Sequence, residues 1–450
     1  MSKNINNQIN TKYFSQKSSM FLSELMLAGQ CISIKKNTLL NLSNAFILKI
    51  ALDLASYYIL AERYAPFTLK LSLNLGKLVE SYILLSVIVL TMPRNQQRIS
   101  TVIIWLFLIL SYIPELTVYG LGDQARHWIY AITTFWLLIF SFVRVKTRFF
   151  KILYVKGADP LSIIFISVIL VYTLLVIFSV DGLTPTMDFV KIYENREIFG
   201  TVALPLANYV IRWTALVIDP FLMIFFLINK RYFYTFAICL FQFLLFAFLG
   251  QKIFLFCIPF VIGLDWLVKK RIFNFYLICF IFAVIISVSS LSFILWKESW
   301  LSSIFTNRLL VLPAWISFKH YDFFSQHIPT YLSHSIFSYF IKYPYDILPW
   351  FIIGEVYFGY PSVSANTGMI ADAYMNFRFL GVLLLVPLLV ITLRWIDQTT
   401  KFHNFRLVLA LVSMPMFTLL ASGFLTSILT TGLGVAILFL HILPQKQTFK

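Results

Sequence analysis

The stretch IFNFYLICFIFAVIISVSSLSFILW, Ile272 to Trp296, runs for 25 residues without a charge. As a helix it would reach about 37 Å at 1.5 Å per residue, more than the roughly 30 Å hydrocarbon core of a bilayer. It therefore predicts a membrane-spanning helix. Lys269-Lys270-Arg271 precedes it, and Lys297 opens a long polar segment after it. Outward from this helix, apolar runs able to span recur at about 39–62, 78–93, 101–119, 127–143, 160–180, 206–228, 232–249, 253–268, 379–396, 407–424 and 428–444. With 272–296 that gives about twelve transmembrane helices. A chain that is 60% hydrophobic and 12% charged lies far from the roughly 25% charge of soluble domains. Backbone groups in lipid must be satisfied within the segment, so the fold class expected is an all-α polytopic membrane protein.

The formal charge of +17 could suggest a nucleic-acid partner, but a nucleic-acid binder gathers its basic residues on one face. Here they recur as short clusters between apolar runs and read as topology signals. With the N-terminus inside, the inner connections collect 22 of the 36 lysines and arginines, among them Arg94, Arg98, Arg144, Lys230, Arg231, Lys269, Lys270, Arg271, Arg394, Lys401 and Arg406. Both termini are then cytoplasmic. The expected organisation is a cytoplasmic tail over 1–38, helices one to nine over 39–296, a large periplasmic loop over 297–378, three last helices over 379–444 and a short tail over 445–450. Met20 to Ala28 is expected to lie on the membrane surface. Leu27-Ala28-Gly29-Gln30-Cys31 has the look of a lipoprotein cleavage site, yet Gln30 separates glycine from cysteine and no apolar core precedes it. Cys31, Cys239, Cys257 and Cys279 lie in the tail or in apolar runs, which argues against a disulfide framework.

Two outside loops are substantial, Asp181 to Pro205 and Lys297 to Arg378. The second holds His320, His327 and His334 of the six histidines, so chemistry is sought there first. Leu332, Ile336, Phe337, Phe340 and Ile341 follow helical spacing opposite His334, Ser338 and Lys342, which predicts a helix lying in the interface. Ile347 to Gly359 predicts a second, and the loop as a whole a helical cap resting on the bilayer.

Charges inside spans need a partner or a task. Lys49 and Asp53, four apart, predict an internal ion pair. Arg212 and Asp219 return nearly to one face, with Arg212 about 9 Å inside the outer end, a reachable depth for a lipid-linked phosphate. Gly250-Gln251-Lys252 puts a cation at an outer turn, against the inside-positive bias. Arg308, in Phe305-Thr306-Asn307-Arg308-Leu309, offers the planar fork that suits phosphate. Lys319-His320-Tyr321-Asp322 reads either as a general base near a sugar hydroxyl or as a solvated polar turn. No spacing in the loop is diagnostic of a metal site.

The run Ser364-Ala365-Asn366-Thr367-Gly368-Met369-Ile370-Ala371-Asp372-Ala373-Tyr374-Met375-Asn376-Phe377, leading into Leu380-Gly381, carries a resemblance. Together with twelve helices, large outside loops after helices five and nine, and the Gly250-Gln251-Lys252 turn, it resembles the Wzy-type O-antigen and capsule oligosaccharide repeat-unit polymerases. One departure stands out: where that family often has glycine before the Phe-Leu-Gly run, this chain has Arg378. The resemblance implies an enzyme of the bacterial inner membrane that joins oligosaccharide repeat units carried on undecaprenyl diphosphate at the outer face. Its partners would be those lipid-linked oligosaccharides and the membrane lipids, with a chain-length regulator left open, and no nucleic acid. Such a reaction needs cations at the diphosphate, for which Arg212, Lys252, Arg308 and Arg378 are the candidates. It also needs a base at the attacking hydroxyl, for which His320, Asp322 and Asp372 are the candidates. It requires no cofactor and no metal. The rivals are a twelve-helix transporter or flippase of lipid-linked oligosaccharide, an O-antigen ligase, and a polytopic O-acyltransferase. The two halves of the chain show no evident similarity, the Pro93 to Ser100 connection lacks the Gly-x-x-x-Asp-Arg pattern of many major-facilitator transporters, and of the histidines only His441 lies in the interior of a predicted helix.

Overall fold

A computed structural model describes residues 36–63, 70–145, 159–180, 182, 184–200, 204–297 and 300–443. The N-terminal tail to residue 35 with its surface segment, the basic cluster from Lys146 to Lys156 and the tail over 445–450 lie outside the described residues. Every described element is a helix and none is a strand. Eight helices are long and apolar enough to cross a membrane: α1 (Lys36–Leu60), α3 (Ile99–Leu121), α4 (Arg126–Arg144), α5 (Pro160–Phe178), α7 (Ala207–Ile228), α8 (Tyr232–Leu249), α10 (Phe275–Trp296) and α13 (Met369–Thr399). The chain is an all-α polytopic membrane protein. The other predicted runs are also helical but shorter or more charged. They are α2 (Leu75–Thr91), α9 (Lys252–Lys269, with Asp265 inside it), α14 (Phe405–Thr418) and α16 (Leu433–Ile442). Shorter pieces complete the set: α6 (Phe189–Gly200), α11 (Leu312–Gln326), α12 (Pro349–Phe358) and α15 (Phe424–Leu429).

The bundle is built around α3. In its central window 94% of residues are buried, against 28 to 67% in the other spanning helices, so α3 faces protein on all sides while its neighbours keep one apolar face outward. The predicted ion pair on α1 is part of this packing. Lys49 Nζ meets Asp53 Oδ2 at 2.7 Å, and Tyr82 and Thr117 hydroxyls donate to the same carboxylate at 2.7 Å each. A buried pair with its oxygens satisfied joins α1, α2 and α3 without the cost of an unpaired charge.

One end of the bundle carries the connections with Arg98, Arg271 and Arg406, where Arg406 grips Asp265 with two contacts of 2.6 Å. The opposite end carries the Gly250–Gln251 turn and the described segment from 300 to 368. Gly250 takes φ +65 to close the tight turn between α8 and α9, which a side chain would resist.

The long loop departs from expectation in two ways. Its first third is not a surface cap. Ser302–Val311 winds as a π-helix that continues directly into α11, with Val311, Phe318 and Phe324 fully buried. This helix packs against α3, α10 and α13, so Lys319-His320-Tyr321-Asp322 lies on a buried helix and not in a solvated turn. Rings of Trp128, Tyr321 and Tyr374, with centroids 5.1 to 5.3 Å apart, lock α11 to α4 and α13.

The interfacial helix expected over Leu332 to Lys342 is replaced by turns and a single 3-10 turn, Ile336–Tyr339. The reason is competition for donors. Thr330 N–H and Tyr331 N–H donate to carbonyls of Met375 and Asn376, Leu332 N–H donates to Asn376 Oδ1 at 2.7 Å, and Tyr331 and Leu332 sit at φ +51 and +63. A helix cannot start from such backbone. The second expected helix does form as α12, with Pro349 in its first turn and Gly359 at φ +75 ending it, the usual proline-start and glycine-stop arrangement.

The predicted span 379–396 is the second part of α13, which is broken at Phe377 and Arg378. Arg378 holds φ +54, ψ −141, a conformation suited to glycine. Gly381 lies so close beneath the break that an added Cβ would come within 1.9 Å of the Ala373 carbonyl oxygen.

Candidate functional site

At the loop-bearing end lies a cavity of about 540 Å³ whose walls include Arg212, Arg308, His320, His334, Trp350 and Asp372. Each arrives by a different route. Arg212 stands near the start of α7, and the next residues, Thr214–Ile218, form a π turn. That wider turn breaks the seven-residue return to one face, so Arg212 and Asp219 do not pair. Asp219 is fully buried with both carboxylate oxygens unpartnered among the described residues, and Arg212 Nε is likewise buried without a partner. The Arg212 fork is therefore left for the cavity.

Arg308 comes from the π stretch before α11 and is exposed. It lines the cavity and makes no hydrogen bond or ion pair with the described residues. Asp372 sits in the first turn of α13, just after Gly368, and its carboxylate also has no partner among the described residues. It rests on Gly423: a Cβ there would stand 2.4 Å from Asp372 Oδ2. The missing side chain at 423 is thus the space the carboxylate occupies.

His320 is 1% exposed. Its Nδ1 lies 3.0 Å from the Ile316 carbonyl oxygen, and a carbonyl only accepts, so Nδ1 carries the proton and Nε2 keeps its lone pair. Burial lowers the imidazole from 6.5 to about 4. Because the folded value lies below the unfolded one, the unfolded chain binds the extra proton between them. Stability is kept above about pH 6.5 and falls as pH drops toward 4, by about 3 kcal/mol in full. Thermal unfolding in detergent from pH 7 to 4.5 should show a steeper loss for the parent than for His320→Gln. Equal slopes would mean that His320 accepts a proton without cost.

A second cavity of about 490 Å³ adjoins the first and is lined by Arg196, Asn208, Arg212, Gln251 and Lys252 among others. Arg212 belongs to both cavities. Among the described residues no carboxylate lines the second, and Arg196, Arg212 and Lys252 stand around it. Lys252 begins α9, where the helix dipole opposes it, so an anion in this cavity would be favoured doubly.

Of the seven residues singled out in the sequence, the main cavity brings together Arg212, Arg308, His320 and Asp372, and Lys252 lies next door. The other two are elsewhere. Asp322 is held by Lys319 at 2.8 Å, and that lysine also reaches Gln124 Oε1 at 3.3 Å. Arg378 is exposed at the break in α13 and reaches the His327 carbonyl oxygen at 3.4 Å. Sequence reasoning missed Arg196, Trp350, Thr367 and Gly423. Arg196 is masked by Glu194 and Glu197 around it, and Gly423 has no signal in sequence because its partner lies 51 residues away. Among the described residues no group of three His, Cys, Asp or Glu side chains is placed to hold a metal. No family model, no curated protein and no solved structure matches the chain.

Proposed function

We propose that this protein is a membrane glycosyltransferase of the Wzy type, which polymerises oligosaccharide repeat units carried on undecaprenyl diphosphate at the outer face of a bacterial inner membrane. One observation carries the reading: two arginines without carboxylate partners and one carboxylate without a cation, among the described residues, line the same cavity at one end of an all-helical bundle. Arg212 and Arg308 would hold the donor diphosphate. The acceptor hydroxyl oxygen attacks the anomeric carbon, the bond from that carbon to the diphosphate oxygen breaks, and the diphosphate leaves with the electron pair. The hydroxyl proton passes to Asp372. His320 is the weaker base, since burial already resists its protonation, and it serves better as an acceptor at Nε2.

The basic connections gather at the opposite end, which supports cytoplasmic placement of that end and outward placement of the cavity. Below the cavity the core between α3, α13 and α14 is closed by Ile104, Leu389, Leu393, Leu411 and Val412, all fully buried. A closed floor favours a reaction chamber over a transport path.

The test is the surface polysaccharide of a strain lacking the gene. Single repeat units on the lipid core are expected. No repeat units at all would indicate a ligase, units trapped inside a flippase, and unchanged long chains would overturn the reading.

A further inference from the structure

The residues given tasks above occupy part of the cavity, and one wall has none. That wall consists of His334, Pro349, Trp350, Asn366 and Thr367. Its centre is Trp350, in the first turn of α12. The Trp350 carbonyl oxygen accepts from Ala365 N–H at 3.0 Å, which ties the start of α12 to the 365–367 strand of chain. The His334 ring stands edge-on to the indole, with centroids 6.3 Å apart at 80°. The main chain at Trp350 is thus anchored and its indole braced by the imidazole, while the residue lines the cavity.

The polar atoms of this wall are unusual. Thr367 is 7% exposed, and its Oγ1 has no hydrogen-bond partner among the described residues. His334 Nδ1 is buried and unpartnered in the same way. A buried hydroxyl and a buried imidazole nitrogen without partners are costly arrangements unless a ligand completes them. No residue of this wall is a lysine, arginine or carboxylate, and burial holds the His334 imidazole toward its neutral form. The cations stand on other elements, α7 and the π stretch before α11.

This combination selects the ligand. A phosphate would find no cation at this wall. A lipid chain would cover the indole and leave Thr367 and His334 unsatisfied. A pyranose ring fits both demands, since its C–H face packs on an aromatic plane and its hydroxyls donate and accept.

We propose that Trp350, Thr367, His334 and Asn366 form a sugar subsite, with Trp350 as the platform and the other three reading ring hydroxyls. This rests on the reading of the cavity as the place of lipid-linked sugar transfer, and divides that cavity into a phosphate side and a neutral sugar side.

Two probes separate the sides: undecaprenyl diphosphate without sugar, and lipid-linked repeat units extracted from a strain lacking the gene. Binding is measured on the full-length protein in nanodiscs. The parent should bind the sugar-bearing probe at least tenfold more tightly than the bare carrier. Trp350→Ala should weaken the sugar-bearing probe about tenfold and leave the bare carrier within about twofold. Trp350→Phe should recover most of the loss, and the isosteric Thr367→Val should weaken only the sugar-bearing probe, about three- to tenfold.

Equal affinity of the parent for both probes would overturn the subsite while leaving the polymerase reading in place. So would a Trp350→Ala loss shared equally by both probes, or no loss in Trp350→Ala and Thr367→Val alike. A parent that binds neither probe would overturn the polymerase reading, and the subsite with it.

Discussion

Asp372→Asn is expected to lower polymer synthesis by about 10²- to 10⁴-fold at unchanged membrane abundance, the range for removing a positioned general base. The carboxylate has no cation to neutralise it among the described residues, so its charge is not spent on holding the fold together. Asparagine keeps the shape and the packing over Gly423, so the fold should survive. Gly423→Ala is the companion test. Its new Cβ would fall 2.4 Å from Oδ2 and 2.6 Å from Cγ, closer than such contacts allow, so the carboxylate must swing away. Misplacement by about 1 Å is enough for losses near 10²-fold. Both variants are read by the ladder of chain lengths in isolated polysaccharide and by turnover in membranes. A parental ladder from Asp372→Asn would remove Asp372 from the chemistry. A normal ladder from Gly423→Ala alone would mean that the carboxylate works from more than one position.

Arg308→Ala and Arg212→Ala come next in size. A charge-assisted contact contributes about 1.5 to 3 kcal/mol, so losing one that tightens in the transition state should slow turnover by about one to two orders of magnitude. Arg212 should be the more damaging loss, because it borders both cavities while Arg308 borders the larger one. Among the described residues neither arginine has an ion-pair partner to strand, so alanine should insert and fold normally. Lysine should rescue only partly, since it cannot present two parallel donors. If both alanine variants make long chains at the parental rate at matched abundance, the diphosphate is held elsewhere.

The apolar spans were legible because their signal is local. The run 232–249 is the helix α8, and 272–296 begins three residues before α10. The helix that carries Arg308 and His320 was not legible. Ser302–Gln326 is buried yet polar along the face that meets the cavity, and its ten-residue π stretch displaces side chains from the 3.6-residue period that pattern reading relies on. The segment from Leu332 to Lys342 failed in the opposite sense. Its spacing is helical, but Asn376, distant in sequence, claims the backbone donors that would begin the helix. Arg378 holds a positive φ, a backbone suited to glycine, and a non-glycine residue so placed stores about 1 to 3 kcal/mol of strain, which no local pattern in the sequence announces. The convergence of Arg212, Arg308, His320 and Asp372 could not be read as a motif, because their spacing in the chain is set by the lengths of intervening helices.

Phe417, Thr418, Leu420 to Gly423, Thr426 and Thr431 form part of the cavity's lining. In a chain made from the N-terminus at about 5 to 20 residues per second, these residues emerge roughly 10 to 40 s after Arg212. For that interval α7 must sit in the membrane with a buried arginine and a buried aspartate, and with no chamber to serve. The late helices are therefore the timing element of biogenesis: a ribosome stalled before residue 405 would leave a nascent chain that has inserted its cations and cannot yet hold a substrate against them.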